Sequence, residues 1–130
     1  MIRFTLALLS AMNCATGYAA EEEKYRFGDQ QVAFISLEGG ELLVTENCAP
    51  KPKGSACDAL KRAAKATTSK LNLNGGANPG ALICTKIEGK VRIGRDSKQN
   101  EQAFCAFPDS SMIAADSLLN RAIQNDLGKK

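Results

Sequence analysis

Five cysteines supply the thiol chemistry of this sequence, and no histidine accompanies them. Without imidazole there is no Ser-His-Asp triad, no Cys-His dyad, no His-ligated zinc and no ring nitrogen titrating near neutrality. Cys14 lies just past an apolar N-terminal run, within the expected export signal, which leaves Cys48, Cys57, Cys84 and Cys105. In an oxidising compartment four cysteines most simply form two disulfides, and three connectivities exist. The sequence-local pairing, Cys48–Cys57 with Cys84–Cys105, is the expected one. Each such crosslink restricts the unfolded chain by about 3 kcal/mol on the loop-entropy model. Four thiolates on one metal would need short Cys-x-x-Cys knuckles, which these spacings lack, so no metal site and no cofactor are expected.

Acid–base chemistry would fall to carboxylates. Glu38 with Glu41, and Asp109 with Asp116, are the pairs that folding would have to bring together for a hydrolase. Read as turn and surface groups they assign no catalytic residue, and a non-enzyme is the expectation. Thr67, Thr68 and Ser69 offer hydroxyls with no neighbouring base, and a structural role is expected of them.

Anion binding has more support. Residues 21–50 carry seven acids against two bases, whereas 51–98 carry eleven bases against Asp58, Glu88 and Asp96. Lys61, Arg62, Lys65, Lys90 and Arg92 are the candidate anion-binding residues of that basic block. No aromatics interleave the bases as in a nucleic-acid platform, so the expected partner is an anionic envelope component or protein and not nucleic acid.

The elements that must position these groups begin after an export signal. Met1-Ile2-Arg3 and the short apolar run at 4–12 read as a signal peptide over 1–20, with Gly17 and Ala19 placing cleavage near Ala19 or Ala20. Lipid attachment at Cys14 would favour Leu three residues upstream and Gly or Ala immediately upstream. Ala11 and Asn13 stand there instead, which makes an envelope-anchored lipoprotein the minor alternative. A periplasmic or secreted chain without a transmembrane segment is expected.

Glu21-Glu22-Glu23-Lys24 reads as a frayed start. Runs 31–37 and 41–45 flank Gly39-Gly40 as a hairpin, setting Leu37 opposite Leu42 and Ile35 opposite Val44. Phe34 and Leu43 make its second face apolar too, so something must cover it. Ser55-Ala56-Cys57-Asp58 has the form of a capping box, and Leu60, Ala63, Ala64, Thr67 and Leu71 recur at helical spacing behind it. Gly75-Gly76 separates this hairpin-plus-helix part, 21–77, from an α-β-β-α unit at 78–127 and a tail at 128–130.

In that second unit Asn78-Pro79 opens a short helix and Gly89 ends it. Val91 and Ile93 share one side of a following strand, and Ala103, Cys105 and Phe107 share one side of the next. Bonding Cys84 to Cys105 would staple the helix to the core face of this hairpin. Leu118, Leu119, Ala122, Ile123 and Leu127 form the packing stripe of a last helix. The expected fold class is therefore α+β, a small disulfide-stapled domain of two β-hairpins packed with two or three short helices.

Asn78, Pro79, Cys84 and Gly89, followed by Cys105, Phe107, Pro108 and Asp109, resemble the small exported domain of unknown function that carries a haemolysin label in Gram-negative bacteria. Its pattern runs Asn-Pro-Ala-Ser, two residues, Cys, a Gly pair, then Cys-x-Phe-Pro-Asp-Gly-Ser. Gly80-Ala81 stand in place of Ala-Ser, Glu88 in place of the first Gly of the pair, and Ser110 in place of the Gly of the turn. The resemblance implies an exported domain and names no activity. An exported, non-enzymatic binding or envelope-associated protein is the functional expectation.

Overall fold

The computed structural model describes residues 22–50 and 57–128, so the expected signal, its cleavage position and Cys14 lie outside the described residues. Strands β1 (Glu22–Phe27), β2 (Gln30–Leu37) and β3 (Leu42–Thr45) come first, then helices α1 (Asp58–Ala63) and α2 (Pro79–Lys86). Strands β4 (Lys90–Arg95), β5 (Glu101–Ala106) and β6 (Met112–Ala114) follow, and α3 (Ala115–Gly128) ends the fold. All strand neighbours are antiparallel, in a closed barrel of order β1-β2-β3-β6-β5-β4.

Period-two alternation gives the barrel an apolar interior. Tyr25, Phe27, Phe34, Leu43, Phe104, Met112 and Ala114 form one buried cluster without any helix side chain. Its rings meet edge-on or tilted, with centroids 4.6 Å apart for Phe34–Phe104 and 4.8 Å for Tyr25–Phe104. Gly94 on β4 makes room for them, since a Cβ there would lie 2.7 Å from Cζ of Phe27.

The outward faces of the same strands build a second core with the helices. Ile35, Leu42, Val44, Cys105 and Ile113 pack against Ala59, Ala63, Ile83, Cys84, Leu118 and Ala122. Both disulfides lie in this layer: Cys48–Cys57 with S–S 2.06 Å and Cys84–Cys105 with S–S 2.12 Å. Leu43 N–H donates to the buried hydroxyl of Ser117 at 3.0 Å, which ties α3 to β3.

The first hairpin has the expected register, Leu37↔Leu42 and Ile35↔Val44, and the cover over Phe34 and Leu43 is the rest of the barrel. Two separate hairpins are not what forms, however. Residues 22–24, within the segment read as frayed, open strand β1, because Tyr25 and Phe27 outweigh the charges around them. Residues 112–114, which the sequence does not mark as a strand, are strand β6, which joins β3 to β5. These two short strands convert two hairpins into one closed sheet.

The helices also depart from expectation. α1 ends at Ala63 and does not continue towards Leu71; its last carbonyls are taken up by α3, where Asn125 Nδ2 donates to the carbonyls of Ala63 (3.0 Å) and Ala66 (2.9 Å). Its N-cap is Cys57, with the sulfur accepting from Leu60 N–H at 3.5 Å; Ser55 and Ala56 of the expected capping box lie outside the described residues. Thr67 and Thr68 donate to the Asp126 carboxylate, the structural role expected of them. On α3, Leu118 and Ala122 are buried but Ile123 and Leu127 are exposed, so the stripe is narrower than its spacing suggests. Val91 and Ile93 are likewise exposed; the aromatic core lies on the opposite face of β4 and β5, around Gly94 and Phe104.

Candidate functional site

The basic residues of α1 and of the turn after it meet the C-terminal end of α2 across a cleft of about 600 Å³, lined by Lys61, Arg62, Lys65 and Lys86 with Asp58, Ile87 and Glu88. Two of its cations are held in place by the protein itself. Arg62 donates to the Ile87 carbonyl at 2.9 Å, pairs with Glu88 at 3.2 Å and lies over the Phe107 ring at 5.6 Å from its centroid. Lys86 Nζ donates to the carbonyls of Ser69 and Lys70 at 2.8 and 2.9 Å. Lys61 and Lys65, one helical turn apart, make no ion pair among the described residues.

Five candidate cations were expected, and the fold gathers three of them. Lys90 and Arg92 lie on β4 outside this cleft, and the Arg92 guanidinium sits 4.9 Å from the centroid of the Phe27 ring. Lys86, which the sequence reading missed, takes their place. Its position in the last turn of a helix facing α1 was the available signal.

α1 has only six residues and is too short to persist unaided. Its first three amides are all satisfied, from two directions. Asp58 N–H donates to Asp109 Oδ2 at 2.8 Å, Ala59 N–H to Ser111 Oγ at 2.9 Å, and Leu60 N–H to the sulfur of Cys57. Ser111 is wholly buried, and its hydroxyl donates in turn to Asp109 Oδ1 at 2.5 Å. Burial penalises the Asp109 charge, but the bonds from Asp58 and Ser111 outweigh it and hold this carboxyl below the usual carboxylate range. The Pro-Asp-Ser-Ser turn thus orients the basic helix from about fifty residues away.

α2 begins as the motif suggests: Asn78 accepts from Ala81 N–H at 3.2 Å, and Pro79 occupies the first turn. Its end is a Schellman turn, with Glu88 N–H donating to Thr85 O at 3.1 Å and Gly89 N–H to Cys84 O at 2.8 Å. Glu88 takes the left-handed position at φ 65°, and Ser110 takes another in its own turn at φ 69°. At both places the resembled family pattern has a glycine that this chain lacks, whereas Gly89 keeps the third. An L-residue there is strained by about 1–2 kcal/mol, partly offset by the entropy glycine loses on folding. Glu88→Gly and Ser110→Gly are each expected to raise stability by about 0.5–1 kcal/mol, read as the urea midpoint at unchanged slope.

The carboxylates considered for catalysis serve other contacts. Glu38 pairs with Arg121 at 2.5 Å, Glu41 accepts from Gln124 at 3.1 Å, Asp109 caps α1, and Asp116 sits exposed in the first turn of α3. Among the described residues, no group of three or more His, Cys, Asp or Glu side chains is arranged to hold a metal ion. No described helix is long and apolar enough to cross a membrane.

No curated protein and no solved structure matches the chain. The family resemblance lies in α2, β4, β5, β6 and the first half of α3, the segment that carries the Asp109 turn, the Schellman end of α2 and one disulfide: residues 75–122 match the family model described as a domain of unknown function (DUF333).

Proposed function

We propose that this chain is an exported, non-enzymatic binding domain, periplasmic or secreted, whose anionic partner docks at the α1–α2 cleft. The observation that carries the reading is the cleft itself, in which Lys61 and Lys65, without an ion pair among the described residues, stand beside the anchored Arg62 and Lys86. Two buried disulfides support the oxidising compartment, since such bonds persist outside the reducing cytosol. The N-terminal Met1-Ile2-Arg3 and its apolar run support export. Arg62 and Lys86 are anchored by backbone carbonyls, so the cleft presents fixed positive charge with little rearrangement on binding, and a polyanion of repeating carboxylates or phosphates fits it.

Retention on an immobilised polyuronate tests this. The protein is expected to bind at low ionic strength and to be released as salt screens the attraction. Lys61→Glu/Lys65→Glu is expected to weaken binding by about tenfold or more, roughly 1.4 kcal/mol, while leaving thermal stability within about 0.5 kcal/mol. Equal retention of the double variant, or retention indifferent to salt, would remove the cleft as the docking site.

A further inference from the structure

The barrel closes unevenly. β1 pairs with β2 along its whole length, from Glu22↔Ile35 to Phe27↔Gln30, but meets β4 at a single position, Arg26↔Arg95. On the N-terminal side of that bridge β1 runs past the end of β4. A groove of about 800 Å³ separates it there from the turn at 96–100, its charged lining made of Lys24, Arg26, Arg95 and Lys98 with the carboxylates of residues 22, 23 and 96. In an antiparallel strand alternate residues turn N–H and C=O away from the paired neighbour. The 22–25 edge of β1 therefore faces the groove with backbone groups that no described strand or turn takes up.

The charges around this edge are unequally engaged. Glu23 accepts from the Tyr25 hydroxyl at 2.8 Å. Asp96 is satisfied within its own turn, by the amides of Lys98 (2.8 Å) and Asn100 (2.9 Å) and the Asn100 side chain (3.2 Å). Arg95 pairs with Glu101 at 2.7 Å. Lys24 and Arg26 are exposed on the outward face of β1 and make no ion pair among the described residues. Arg26 also stands directly across from Arg95 at the bridge, and like charges so placed destabilise a sheet unless an anion lies between them.

We propose that this edge is a docking groove for an extended acidic segment of a partner protein, which adds as a strand beside β1 and sets carboxylates at alternate positions against Lys24 and Arg26. Backbone hydrogen bonds along an exposed edge supply affinity in such strand addition, and alternate side chains supply selectivity. Charge on an edge ordinarily prevents indiscriminate pairing. Here Lys24, Arg26 and Lys98 outnumber Glu22 among the groove's charged side chains that make no ion pair among the described residues, which favours acidic strands over basic ones. The groove is separate from the α1–α2 cleft and does not depend on it.

The test is a titration of the oxidised, ¹⁵N-labelled protein with an eight-residue peptide alternating glutamate and threonine, at low salt. Shifts are expected in the amides of 22–26, with about tenfold or greater slowing of their hydrogen exchange at saturation. N-methylation of one alternate set of peptide amides should abolish binding while the other set is tolerated. Lys24→Glu/Arg26→Glu, at two exposed positions, should lose about tenfold or more in affinity with an otherwise unchanged spectrum. Lys61→Glu/Lys65→Glu should bind the peptide as before. The proposal is overturned by an absence of shifts at 22–26 with millimolar peptide, by undiminished binding of both N-methylated peptides, or by shifts confined to the α1–α2 cleft.

Discussion

Gly89→Ala is expected to destabilise the protein by about 3 kcal/mol, lowering the melting temperature by roughly 12–24 °C. An added Cβ would lie 2.2 Å from the sulfur of Cys105, 2.9 Å from that of Cys84 and 3.1 Å from the Phe107 ring. None of these can retreat easily: both sulfurs are locked in a disulfide at 0% exposure, and Phe107 is packed against the same core. Gly89 is therefore required by contact, not by backbone angle, unlike the position before it. Thermal unfolding of Gly89→Ala in the wild-type and Cys84→Ala/Cys105→Ala backgrounds separates the causes. The staple-free background should itself lose about 3 kcal/mol, and the alanine should then add less than about 1 kcal/mol. An equal penalty in both backgrounds would show that the disulfide is not what the methyl strikes.

Asp109→Ala should lose about 2–3 kcal/mol and, more tellingly, change how stability depends on acid. The alanine removes the acceptor for Asp58 N–H and the partner of the buried Ser111 hydroxyl together. Because folding lowers the pKa of Asp109, the unfolded chain binds the proton more readily. Its contribution is complete above the usual carboxylate range, and it declines as pH falls through that range and then through the depressed folded value. Urea unfolding between pH 7 and pH 2 should show wild type and variant converging as the solution becomes acid. A constant gap across that interval would mean that the loss is packing and not a charge-assisted cap. α1 should be affected first, so the cleft built on Lys61 and Lys65 should weaken before the barrel does.

What the sequence reveals here depends on whether a signal is local. Asn78-Pro79 is a start for α2 and Gly39-Gly40 a hairpin turn, because caps and turns are satisfied within a few residues. The register of β2 on β3 follows from that turn for the same reason. Strand β1 is hidden by its own charges: Glu22, Glu23, Lys24 and Arg26 dominate a six-residue segment in which two rings carry the burial. Strand β6 is three residues long, below the length at which alternation can be recognised. α1 stops early because Asn125 and Asp126, about sixty residues onward, claim the groups that follow it. The cleft is half legible in the same sense. Lys61, Arg62 and Lys65 belong together on any helix, whereas Lys86 joins them and Arg92 leaves them only through the way α2 and β4 pack.

The family match begins just before α2 and ends within α3, yet the barrel does not respect those limits. Inside the matched span lie β4, β5 and β6, in the spatial order β6-β5-β4, and the two outer members look for partners at β3 and β1. A fragment cut to the match would be half a barrel with two bare rims, and the inner faces of Phe104 and Met112 would be open to water. The matched stretch and the folded unit are therefore different lengths of chain. In this chain the matched segment closes its sheet only with the three strands that residues 22–45 supply.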